Sequence, residues 1–291
     1  MAQFIRELSN SLSIKLKAEP LFNNKLIPDI KKQTDAVFPA IRNNVVSFYY
    51  KGGGLFTYSD AGFSTHKKYA IAPDNHSRNY VLESDLSNII IKRTYLDAYD
   101  DVKDRCKAYG TIEATYVSDL YGYSGLSDSS VILLDTEISL TGESEEDDDT
   151  AGTKISRIDL LLYNVDKRKL CFCEAKHFSN SEIWAKRGNK PKVCSQIDRY
   201  NKVLSTQADT IIAEYQKYVD RFNNLFGTDL PFPESIHSKT GLLIFGYDSY
   251  QQEKIHELLK DDGSLDGTNY YTTGKINSST IDTLFKKLTK K

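Results

Sequence analysis

Three apolar runs in close succession limit what this chain can fold into: residues 131–140, 155–163 and 170–178. Each is short, rich in Val, Ile, Leu and aromatic residues, and bounded by turn formers, which reads as a β-strand. The link from Gly142 to Gly152 is polar and the link over residues 164–169 is turn-like, so the simplest topology is an antiparallel meander. Charges interrupt the second and third runs. Asp159 sits in an otherwise apolar Ile-Asp-Leu-Leu-Leu, and Glu174 and Lys176 sit two apart in Cys-Phe-Cys-Glu-Ala-Lys.

The flanking sequence fills out an α/β chain. Residues 12–17, 44–50 and 55–58 alternate as short strands, and the glycines after Lys51 lack the Gly-Lys-Ser/Thr ending of a phosphate loop, which leaves a tight hairpin. From Glu83 to Tyr121 the apolar spacing of three and four predicts one or two helices. Pro191 opens a helical stretch to about Phe226, residues 239–248 form a buried strand, and residues 250–259 form a covering helix. This predicts a sheet-rich amino-terminal region over 1–82, of unassigned role, and one domain over 83–291 with a central mixed sheet flanked by helices.

Composition removes several function classes. With 291 residues, 40% of them hydrophobic, the chain can bury one large core or two modest ones. A formal net charge of −2 argues against coating nucleic acid by bulk positive charge. No apolar run approaches the roughly 20 residues of a membrane helix, and the start lacks an export-type apolar segment, which predicts a cytoplasmic protein. Cys106, Cys171, Cys173 and Cys194 form no C-x-x-C pair, which predicts reduced thiols and excludes an iron–sulfur cradle. The acidic block over residues 143–149 reads as a solvated loop tip.

Strand alternation places Glu174 and Lys176 on one face. A charge in so apolar a strand is costly without a partner. With Asp159 across the hairpin, two carboxylates can hold a divalent ion and the lysine becomes the natural third member. On the following helix Gln196 and Tyr200 lie four apart, hence on one face, with Arg199 beside them. Trp184 and the basic residues 186–192 form a loop able to contact phosphates or stack on a base. His177 reads as a packing histidine.

The set Asp159, a hairpin, Glu174-Ala175-Lys176 and then Gln196-x-x-x-Tyr200 resembles the PD-(D/E)XK nuclease superfamily, in its RecB-like branch. The resemblance covers residues 131–204 and implies a restriction-endonuclease-like core. It implies that Asp159, Glu174 and the Ala175 carbonyl bind Mg2+ or Mn2+, and that Lys176 orients or activates the attacking water. It further implies that Gln196 flanks the metal or orients the lysine and that Tyr200 contacts substrate; Arg199, beside Tyr200, adds to the substrate-contact case. A further glutamate is common in that family; Glu113 and Glu137 are both candidates here. The literal Pro-Asp is replaced by Ile158-Asp159. The expected activity is a magnesium-dependent nuclease or endonuclease acting on DNA, by analogy in bacterial anti-phage defence or restriction, with an ATPase or helicase as partner. An RNA-directed nuclease and a non-catalytic DNA-binding subunit are the alternatives, and oligomeric state is not legible.

Overall fold

The computed structural model describes residues 4–70, 79–86, 94–140, 157–184, 190–253, 255, 265, 267–277 and 280–290. The fold is α/β, with two sheets in two compact units: Arg6–Asp128 with Lys217–Leu230, and Ser129–Gln216 with Pro231–Lys291 and Met1–Ile5. Among the described residues no helix is long and apolar enough to cross a membrane.

The first unit carries an antiparallel sheet, β1 (Phe38–Arg42), β2 (Val45–Tyr50), β3 (Gly53–Ser59), β4 (Gly62–His66) and β5 (Tyr80–Leu82), paired in that order. The glycine-rich segment is a hairpin turn. Lys51 and Gly52 take φ of 49° and 80°, and a Cβ on Gly52 would lie 2.1 Å from that of Ala114. The expected strand over 12–17 is instead the helix Asn10–Ala18. Its alternation misleads because the buried apolar residues are Leu12 and Leu16, four apart, while Ile14 is 69% exposed. The Ser9 hydroxyl accepts the Leu12 amide at 3.2 Å and caps the helix.

The expected helices between Glu83 and Tyr121 are shorter and more broken than the spacing suggests: Glu83–Leu86, Tyr99–Ala108, Ile112–Val117 and a 3-10 turn over Ser118–Tyr123, with residues 87–93 outside the described residues. They belong with the first sheet, so the compact division falls after Asp128 and not after residue 82. The reason is packing: Val102 and Cys106 are fully buried, and Tyr99 stacks on Phe56 at 6.1 Å.

The second unit contains the meander, β6 (Val131–Ile138), β7 (Ile158–Asn164) and β8 (Lys169–His177), with both pairings antiparallel. The long helix Lys192–Phe226, interrupted by non-helical angles at Gln207, leads to β9 (Ser235–Ile236) and β10 (Gly241–Phe245). Both run parallel to β8, and β11 (Tyr270–Thr273) runs parallel to β10, giving the order β11-β10-β8-β7-β6. Val193, Cys194 and Ile197 of the long helix bury against Leu242 and Ile244, and each such aliphatic burial contributes roughly 1.5–3 kcal/mol. In the closing helix, Thr280–Leu288, Ile281, Leu284, Phe285 and Leu288 recur at helical spacing and are buried. Gly241 permits its close approach, since a Cβ there would lie 2.3 Å from Leu288 Cδ1. Residues 249–253 begin the expected covering helix; residues 254 and 256–259 lie outside the described residues.

Candidate active site

The meander's register assembles the charged residues. β7 meets β8 with Leu160 opposite Cys173, and one further step along an antiparallel ladder sets Asp159 opposite Glu174. On its other edge Asp159 falls between two pairings with β6, Leu160 with Thr136 and Ile158 with Ile138, which sets it opposite Glu137. Three adjacent strands therefore carry one row of carboxylates: Glu137, Asp159 and Glu174. Glu137 has φ of 53°, a conformation uncommon outside glycine and associated with constrained or functional positions. The ladder shifts register between Leu133 and Asp135, just before it.

Local bonds fix the row. Asp159 Oδ2 accepts the Ala175 amide at 2.7 Å, and the Thr136 hydroxyl donates to the Asp159 carbonyl at 2.7 Å. Glu174 is 1% exposed, and the Lys176 ammonium lies 2.6 Å from its Oε1. Glu182 Oε2 stands 3.7 Å from the same ammonium. Burial, then the charge of Glu174, raises the Asp159 carboxyl well above the usual carboxylate range; Glu137 pushes the same way, while Lys176 and the Ala175 amide oppose it. Glu137 is thus electrostatically part of this cluster. Glu113, the other candidate, lies on the helix Ile112–Val117 of the other unit.

Gln196 and Tyr200 are joined as their spacing suggests. Gln196 Nε2 donates to Tyr200 Oη at 2.8 Å, and that hydroxyl donates to the Arg157 carbonyl at 2.8 Å. The pair therefore ties the long helix to the backbone two residues before Asp159. Tyr200 is 5% exposed with its hydroxyl engaged in this chain of bonds, whereas Arg199 is exposed. His177 is at the end of β8, with Nδ1 2.7 Å from the Ser179 hydroxyl and its ring edge-on to Phe245. Trp184 donates to the Phe178 carbonyl at 2.9 Å. The basic residues 186–189 and the acidic block 143–149 lie outside the described residues.

Sequence reasoning missed Glu182, held on a 3-10 turn (Ser181–Ile183) whose Asn180 side chain caps its amide at 3.0 Å. An Asn-x-Glu just past a strand was the available signal. It also missed the fully buried Asp135, which accepts the Tyr215 hydroxyl at 2.9 Å. None of the four cysteines is in a disulfide, and all are buried. Burial pushes the Cys171 thiol up to about 12 and Cys173 well above its usual value.

Among the described residues no group of three or more His, Cys, Asp and Glu side chains is arranged to hold a metal ion. One Glu174 oxygen faces the Lys176 ammonium, and one Asp159 oxygen faces the Ala175 amide. No protein-family model, curated protein or solved structure matches the chain.

Proposed function

We propose that the second unit is a metal-dependent nuclease of the PD-(D/E)XK type, hydrolysing phosphodiester bonds in DNA. One observation carries the reading: Glu137, Asp159 and the buried Glu174 form one row on adjacent strands, with the Lys176 ammonium against Glu174. Carboxylates gathered in this way are hard oxygen donors of the kind that suit Mg2+ or Mn2+. Asp159, Glu174 and the Ala175 carbonyl would hold the ion, with Glu137 within electrostatic reach. The ion would supply Lewis acidity and a lowered pKa for water.

The chain's own groups do the rest. Lys176 places its ammonium where it can orient a water and offset charge on a phosphate oxygen. The bond chain from Gln196 through Tyr200 to the Arg157 carbonyl holds the start of β7, and with it Asp159, against the helix. A mixed sheet whose meander carries the acids and which continues through a helix into a parallel strand supports a restriction-endonuclease-like core. The motif resemblance extends the reading to a cytoplasmic bacterial defence or restriction nuclease working with an ATPase or helicase.

Cleavage of supercoiled plasmid with Mg2+ or Mn2+, against EDTA, tests this, with linear DNA and RNA alongside and Mn2+ binding measured in parallel. Nicking that needs the metal and falls at least about 1,000-fold in Glu174→Ala/Lys176→Ala is expected. Equal cleavage by the variant, or the absence of both cleavage and Mn2+ binding in the native protein, overturns it.

A further inference from the structure

A second polar site lies in the same unit, on a different flank of the long helix from Gln196 and Tyr200. A cavity of about 220 Å³ is lined by Lys190 and Asp198 and by Asn201 of that helix, by Lys239 and Thr240 at the entry to β10, and by Asn269 before β11. Its lining is mostly polar, where a void left by imperfect core packing would be apolar. The two asparagines are fixed by backbone: Asn201 Oδ1 accepts the Thr240 amide at 2.6 Å, and Asn269 Nδ2 donates to the Leu288 carbonyl at 3.2 Å. Thr240 is 1% exposed, and its hydroxyl has no hydrogen-bond partner among the described residues. Buried hydroxyls are nearly always satisfied, so an unpartnered one in the wall of this cavity points to a bound group at the site.

We propose that this cavity binds a sugar phosphate. The two ammonium groups, Lys190 and Lys239, suit a phosphate dianion. Thr240 contributes a hydroxyl to the same anion, and the Asn201 and Asn269 amides add polar groups beside it. Asp198 is out of place in a site for phosphate alone, but it is the natural acceptor for a sugar hydroxyl. The volume agrees with a ligand of that size: it falls below the roughly 300–1,000 Å³ of pockets that enclose drug-sized molecules. A pentose phosphate is matched and a dinucleotide is too large. The site shares no residue with the carboxylate row and stands independently of the nuclease reading.

Calorimetric titration of the full chain with ribose 5-phosphate, inorganic phosphate and ribose tests it. Ribose 5-phosphate binds, inorganic phosphate binds more weakly, and ribose alone does not bind. Lys190→Gln/Lys239→Gln, at two exposed positions that leave the core untouched, weakens ribose 5-phosphate by about tenfold or more. Thr240→Val, which keeps the shape and removes the hydroxyl, weakens it severalfold. Absence of ribose 5-phosphate binding at millimolar concentration, or undiminished binding by the lysine variant, overturns the site. Inorganic phosphate bound as tightly as ribose 5-phosphate overturns the assignment to a sugar phosphate.

Discussion

Both units bury charge, and they balance it in opposite ways. In the first, Asp29 is 6% exposed and meets Lys103 at 2.7 Å, Lys32 at 2.5 Å and the Tyr99 hydroxyl at 2.7 Å. Lys103 also lies 3.5 Å from Asp35 and over the Tyr50 ring at 4.3 Å, while the Tyr50 hydroxyl donates to Asp35. Burial alone would raise the Asp29 carboxyl, but the hydrogen bonds from Lys103, Lys32 and Tyr99 outweigh it and hold it below its ordinary value. In the second unit the Asp159 carboxyl is raised by burial and by its neighbouring carboxylates. A network that lowers a buried acid is complete as it stands. A row in which burial and like charges raise one is perturbed, and such perturbations concentrate at functional sites.

The contrast breaks most visibly at Lys103. Lys103→Met leaves Asp29 buried with two of its three donors, and the expected loss of stability is about 3 kcal/mol, near the lower end of what removing one partner of a buried pair costs. Urea unfolding measures it, and a loss under about 1 kcal/mol would mean the network is not holding the unit. The native network carries a matching acid dependence. Because the folded Asp29 value lies below the ordinary 3.8, its stabilisation is fully present above that value and is lost as pH falls through the lower, folded value.

The opposite sign is expected at Asp159. Asp159→Asn keeps an acceptor for the Ala175 amide and removes one negative charge from the row, so without divalent cation it stabilises the protein by about 1 kcal/mol, the scale of one unit of pKa. The same variant loses nuclease activity. It also loses any rise in melting temperature that Mn2+ gives the native protein, a rise worth about 2.7 kcal/mol when the ion is at 100 times its Kd. Unfolding of both proteins with Mn2+ and with EDTA measures this. Destabilisation of the metal-free variant would sink the account of like-charge repulsion in the row.

The parts legible in the sequence are those with a strong period or a break in one. The runs at 131–140, 155–163 and 170–178 announce β6, β7 and β8, and a lone acid inside each of the last two points to Asp159 and Glu174. Residues 12–17 mislead because Leu12, Ile14 and Leu16 fit a strand as well as a helix, and the Ser9 cap decides between them. β1 and β11 escape a reading by pattern, since Phe38–Arg42 contains a proline and Tyr270–Thr273 is a short, partly exposed strand at the sheet edge with no apolar alternation, whereas the closing helix does carry a helical period. Glu137 against Glu113 is undecidable from spacing, because membership in the row depends on the β6–β7 register and on one left-handed residue. Glu182 is reached through a turn that has no periodicity.

The smallest effect tests how the helix serves the row. Tyr200 Oη both receives the Gln196 amide and donates to the Arg157 carbonyl. Tyr200→Phe keeps the buried ring and removes both bonds, and the expected stability loss is about 1 kcal/mol, the usual net worth of such bonds. Its functional reading depends on where the loss falls. If the pair positions β7, then kcat for cleavage drops about threefold to tenfold while KM for DNA stays unchanged, since a small displacement of Asp159 weakens transition-state contacts and leaves substrate binding alone. If Tyr200 instead touches the substrate as its motif implies, KM rises and kcat holds. Gln196→Glu provides the complementary measurement: it removes the amide donor but keeps the side chain's length, and a positioning pair predicts the same fall in kcat from either end of the bond.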